Sequence, residues 1–211
     1  MFKPSNRLWV SSLLVSGLIF LTSCAKPAAT ARRLPHLGEP EVLASGDTLW
    51  AAVPTFRLHD QDNAVLRPAS FAGRVYVADF FFTTCPTICP GMQRQMLRVY
   101  SRYQSDPRIA FLSHTIDPAH DSVPVLRAYA HRLGVANARQ WHFATAPHDT
   151  IFALADAYQT VAGYDQPRHG NLIHSGTLTL VDQRGRVLDT YDGLNPQAVN
   201  RLLQRLDELL P

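Results

Sequence analysis

The chain has 211 residues, a formal net charge of +3, 46% hydrophobic residues and three cysteines. So small a charge excludes an electrostatic grip on nucleic acid or on a strongly acidic surface. The sequence contains no internal repeat and no low-complexity block.

At the N-terminus, Lys3 and Arg7 precede an almost wholly apolar run from Leu8 to Leu21, followed by Thr22-Ser23-Cys24. A basic start, a short apolar stretch and small residues at its end predict a secretory signal over residues 1–23 rather than a spanning helix. A cysteine at that place resembles the lipobox of bacterial lipoproteins, which makes Cys24 the expected lipidation site. The expected location is then outside the cytoplasm, on a membrane-anchored lipoprotein facing the periplasm or an equivalent extracytoplasmic space. Residues 24–46, with Pro, Ala and Gly and no periodicity, predict a flexible tether; residues 47–211 predict one domain.

Within that domain the pattern is α/β. Val75 to Phe82 is a near-continuous apolar run, the signature of a central strand buried on both faces. A cysteine-bearing loop follows, then a helix on which Met92, Met96, Val99, Tyr100 and Tyr103 recur at helical spacing. A strand is predicted over Ile109–Ile116, a helix from a Ser122 cap to Leu133 with Gly134 as its stop, a short strand over Trp141–Ala144, and a helix over Thr150–Tyr158. Thr177–Asp182 and Arg186–Tyr191 around Gln183-Arg184-Gly185 predict a hairpin. Asn195-Pro196 opens a last amphipathic helix ending near Leu210.

The remaining cysteines, Cys85 and Cys89, stand in "FFFTTCPTICPGM". Export places them in an oxidising compartment, where an even pair forms a disulfide unless it is reduced or metallated. A purely structural bridge is a poor account, because so small a loop constrains little of the unfolded chain. Four residues apart in a first helical turn, both sulfurs can face one way. A helix N-terminus also favours thiolate, which is both the redox nucleophile and the metal ligand. Residue chemistry therefore leaves a redox disulfide and a metal site both open.

The order of elements resembles a thioredoxin-like domain: a central mixed sheet flanked by helices, with a C-terminal hairpin and helix. Asp79, six residues before Cys85, occupies the place of the buried acid of thioredoxins, and His174 in "NLIHSGTLTLVDQRGRV" stands where their cis-proline would be. An imidazole there adds a third donor, and a Cys₂His set suits copper as Cu(I) or Cu(II). "FFFTTCPTICPGM", "SHTIDPAHDSVPVLRAYAHRLG", "WHFAT" and "IHSGTLTLVDQRGRV" together resemble the Sco/SenC family, from about Val53 to Leu210.

That resemblance implies a membrane-tethered copper metallochaperone with Cys85, Cys89 and His174 as ligands. Its expected partners are a copper ion and the copper-centre subunit of cytochrome c oxidase, whose dinuclear centre it helps to assemble. A thiol–disulfide oxidoreductase that keeps target cysteines reduced is the other expectation. A peroxidase fits poorly, since Phe82 stands where its T-x-x-C motif needs Thr. Asp79 and Asp117 are candidate proton acceptors or supports beside the ligands, with no catalytic residue assigned. His169 is a candidate accessory ligand. His36, His59, His114, His120, His131, His142 and His148 are expected at the surface or in caps.

Overall fold

The computed structural model describes residues 40–42, 48–50, 52–164 and 172–211. Cys24, His36, His169 and nearly all of the expected signal and tether lie outside these. Pro40–Val42 (β1), within the stretch expected as tether, pairs antiparallel with Thr48–Trp50 (β2). Leu58–His59 (β3) and Val65–Leu66 (β4) form a second small ladder, joined by a turn that Asn63 enters at a φ of 62°.

The central strand is Val75–Phe81 (β5), and every one of its residues is buried. Cys89–Tyr103 (α1) carries the chain back to Ile109–Thr115 (β6), which lies parallel to β5. Val123–Arg132 (α2) leads to Trp141–Ala144 (β7), parallel to β6, and His148–Ala157 (α3) follows. Ala162–Tyr164 (β8) and Leu172–His174 (β9) make a separate two-stranded ladder. Thr177–Val181 (β10) and Val187–Asp192 (β11) complete the main sheet, and Pro196–Leu209 (α4) ends the domain. The five-stranded order is β11-β10-β5-β6-β7, with β10 antiparallel to both of its neighbours.

Strand periodicity divides the core into two layers. Val75, Val77 and Phe81 face one side and pack with α1, α2 and α4 through Met92, Met96, Val99, Leu126, Leu202 and Leu206. Tyr76, Ala78 and Phe80 face the other, against α3, β3 and β4 through Ile151, Leu154, Leu58 and Leu66. The continuous apolar run of β5 is the consequence of both faces being covered. The fold is thioredoxin-like, α/β with a mixed sheet.

Caps and turns follow from local chemistry. The Asn195 side chain accepts from the backbone N–H of Gln197 at 2.9 Å and of Ala198 at 3.4 Å, with Pro196 at the first helical position. Gly185, at a φ of 77°, takes the left-handed place in the β10–β11 turn. Ser122 occupies the N-cap of α2 but its side chain makes no capping hydrogen bond.

Candidate metal centre

Cys89 is the first residue of α1, after an Ile88 N-cap that offers no side-chain cap. Cys85 precedes the helix. The expectation that both sulfurs share a first helical turn is therefore corrected: Pro86 to Ile88 form a bend, and the loop rather than helical spacing turns Cys85 toward its partner. The absence of an acceptor at the N-cap leaves the first amides and the positive end of the helix dipole facing the site.

His174 reaches the site from β9. Its Nδ1–H donates to the Ser175 carbonyl at 3.0 Å, so Nε2 carries the lone pair, 3.0 Å from Cys89 Sγ. The Phe82 ring meets the imidazole edge-to-face with centroids 5.8 Å apart and fixes its plane. One donor atom each from Cys85, Cys89 and His174 lies within 4.8 Å of the others. That is the spread of ligands around one first-row ion with bonds of about 2.0–2.3 Å, so the donors present fit a single soft metal ion.

The two free thiols are not equivalent. Cys89 is buried, and burial followed by the neighbouring Cys85 sulfur holds its pKa well above the ordinary value. Cys85 is half-exposed. Burial works to raise its pKa too, but hydrogen bonds from the backbone N–H groups of Cys89 and Thr87 outweigh it and bring the thiol below its ordinary value. Burial lowers the pKa of His174, against the opposing pull of the Ser175 carbonyl, and keeps its imidazole neutral and able to ligate.

Asp79 lies fully buried on β5, on the face that α1 covers. Gln93, four residues after Cys89, donates Nε2–H to Asp79 Oδ2 at 2.8 Å. Two acceptors here, Asp79 Oδ1 and Gln93 Oε1, have no hydrogen-bond partner among the described residues. The Ser113 hydroxyl, opposite Asp79 in the sheet, accepts from Trp141 Nε1 at 3.0 Å and keeps its own O–H to support the carboxyl. Burial, opposed by Ser113 and Gln93, pushes the Asp79 pKa up to about 7. A proton on this carboxyl would supply the donor that the orphaned acceptors lack.

His114 corrects an expectation. It is not a surface or capping residue: it is fully buried on β6, stacked on Phe80 with centroids 4.5 Å apart, and bonded through Nδ1 to the Asp79 carbonyl at 3.2 Å. Burial pushes its pKa down to about 4, so it is a neutral core histidine. His142 is likewise half-buried, bonded to Asp60 Oδ2 at 2.9 Å.

Asp117 is not one of the three gathered donors. Its carbonyl accepts from the N–H of His120 and Asp121, making it a turn residue after β6. The contact to the cysteine loop comes from Asp121, in the segment "SHTIDPAHDSVPVLRAYAHRLG". Asp121 is fully buried and accepts from Thr83 N at 3.0 Å and Thr83 Oγ1 at 2.5 Å. Its local context, an acid just ahead of a helix, gave no sign of a partner 38 positions away.

Fold and site together define a thioredoxin-like domain with two thiols and an imidazole gathered where the cysteine loop meets the sheet. The model of the SCO1/SenC family matches residues 48–210, and the chain belongs to that family. The SCO1 protein homolog of Bacillus subtilis (strain 168) is 29% identical over 188 residues, covering 86% of this chain and 87% of that one. BsSco, described as a member of the Sco family of cytochrome c oxidase assembly proteins with a disulfide switch, is 25% identical. It superposes with a TM-score of 0.65 over 78% of this chain and 98% of its own. Bradyrhizobium japonicum ScoI with copper bound shares the fold at a TM-score of 0.59 and 19% identity, over 74% of this chain and 99% of its own.

Proposed function

We propose that this domain is a copper carrier that holds one ion on Cys85, Cys89 and His174 and supplies it during assembly of the dinuclear copper centre of cytochrome c oxidase. The convergence of the three donors within 4.8 Å carries the reading. Two sulfurs and one imidazole are a soft set suited to Cu(I), and the imidazole extends the site to Cu(II). Structural zinc sites close with four ligands, whereas this group has three among the described residues. Copper bound to a Sco protein of the same fold, and the oxidase-assembly role stated for BsSco, support the cargo and the destination.

The chain's own residues prepare the exchange. Cys85, half-exposed and of lowered pKa, is the thiol through which an incoming ion is first engaged. Cys89 then loses its proton as the metal replaces it, and His174, held neutral and oriented by Ser175, closes the site. We place the domain outside the cytoplasm, tethered through lipidated Cys24, so that it meets its target at the membrane.

A second reading is favoured by the inequality of the thiols. A half-exposed thiol of lowered pKa beside a buried one of raised pKa is the arrangement of a disulfide reductase, with Cys85 as nucleophile and Cys89 as resolving thiol.

Copper titration of the domain separates the two. The reduced protein should bind one equivalent, while the oxidised protein and Cys85→Ser or Cys89→Ser should lose tight binding. Equal copper binding by reduced wild type and both cysteine variants would overturn the carrier reading and leave the reductase.

A further inference from the structure

Each donor of the metal centre needs something to hold it in place. Cys89 has the first turn of α1, and His174 has the Ser175 carbonyl and the Phe82 ring. Cys85 belongs to no regular element, and its own N–H makes only a turn bond to the Phe82 carbonyl at 3.2 Å. What fixes its stretch of loop is Thr83, two residues earlier, and what fixes Thr83 is Asp121.

Asp121 is saturated with donors. Oδ1 accepts from Thr83 Oγ1 at 2.5 Å and from His120 Nδ1 at 3.0 Å; Oδ2 accepts from Thr83 N at 3.0 Å and from Thr115 Oγ1 at 2.5 Å. The carboxylate is itself anchored, since its backbone N–H bonds to the Asp117 carbonyl at 2.8 Å and Thr115 ends the buried strand β6. It is fully buried, so these charge-assisted bonds are made away from water, where they are strongest.

We propose that Asp121 is the positioning residue of the metal centre: through its two bonds to Thr83 it ties the cysteine loop to the end of β6 and holds Cys85 Sγ within reach of Cys89 and His174. This rests on the copper reading above. It assigns Asp121 a role that neither the cysteine motif nor the donor cluster contains, and it makes the bond to Cys85 the part of the site most sensitive to a distant substitution.

The test measures Cu(I) affinity of the reduced full domain in competition with a Cu(I) chelator, for Asp121→Asn, Thr83→Val and Thr83→Ser. Asn offers one acceptor oxygen where Asp offers two, and Val keeps the shape of Thr without its hydroxyl. Both should weaken binding by about 10–100-fold, the usual effect of removing a group that orients a metal ligand. Thr83→Ser, which keeps the hydroxyl, should remain close to wild type.

The same changes are then made in Cys85→Ser, where only Cys89 and His174 bind. There they should alter affinity by no more than about twofold, because a change that acts only through Cys85 has nothing left to act on, the non-additivity of coupled residues. A general structural role would weaken both backgrounds alike, and that result overturns the proposal. So does full affinity in Thr83→Val. If Asp121→Asn fails to fold, the Thr83 pair decides alone. Failure of the wild type to bind Cu(I) sinks the copper reading itself, a result distinct from loss of the clamp.

Discussion

His174 Nε2 stands 3.0 Å from Cys89 Sγ although 85 positions separate the two residues in the chain. The relationship depends on β9, which ends at His174, and on the Ser175 carbonyl that fixes the ring's tautomer.

Loss of that imidazole should affect the two copper oxidation states unequally. His174→Ala keeps both sulfurs, so Cu(I) binding should persist with reduced affinity. Cu(II), which prefers nitrogen more than Cu(I) does, should lose its sulfur-to-copper absorption band. Titration of the reduced variant with each ion, followed optically, checks this; unchanged binding of both ions would show that His174 is not a ligand.

Asp79 and His114 should mask each other's pH dependence. Asp79 is raised from 3.8 to about 7, so its contribution to stability is full below 3.8 and is lost as pH rises through 7. His114 is lowered from 6.5 to about 4, so its contribution is full above 6.5 and is lost as pH falls through 4. Between pH 4 and 6.5 the folded pair keeps one proton, on Asp79, and the unfolded pair keeps one, on His114, so their slopes cancel. Asp79→Asn removes one slope. At pH 8 it should be more stable than wild type by about 4 kcal/mol, from roughly three pKa units at 1.36 kcal/mol each. Towards acid it should lose that advantage. Urea unfolding at several pH values checks it, and a variant parallel to wild type across the range would refute a raised Asp79.

Glycine at 193 should be irreplaceable where glycine at 91 is not. A Cβ at Gly193 would lie 2.6 Å from the Gly176 carbonyl oxygen, 2.9 Å from Leu178 Cγ and 3.1 Å from Met92 Cγ. The nearest obstacle is backbone, two residues from His174, and Met92 is three residues from Cys89. Gly193→Ala should therefore cost about 1–3 kcal/mol and also weaken copper binding. At Gly91 the nearest atom is Leu194 Cδ2 at 3.2 Å, the end of a half-exposed side chain. Gly91→Ala should be neutral or gain up to about 1 kcal/mol from its place in α1. Denaturant midpoints of the two variants make the comparison.

Cys24→Ser should release the protein from membranes into the soluble exported fraction. Fractionation of cells expressing wild type and variant reads the outcome. Unchanged membrane attachment would remove the lipid anchor and point instead to an uncleaved anchor from Trp9 to Leu21 as the attachment.

By itself the sequence determined whatever depends on neighbours along the chain. The unbroken apolar run of β5, the helical spacing of Met92, Met96 and Val99, and the Asn195-Pro196 cap are local consequences of burial and hydrogen bonding, and they carried the element order. The cysteine spacing and His174, once set against a resemblance to known folds, marked out the same three residues that the folded chain gathers. The tertiary structure alone decided what depends on contacts across the sheet. It buried His114, which reads as an ordinary polar residue in "FLSHTI" until β5 and β7 close around it. It set Asp79 against Gln93, and it gave the cysteine loop to Asp121 rather than Asp117. Strand β9 carries only three residues and no strong apolar pattern, so its pairing with β8 was invisible to periodicity. The reason is common to the first three: a hydrophobic period reports which face is buried, whereas the partner of a buried polar group is chosen by distant parts of the chain that folding brings together.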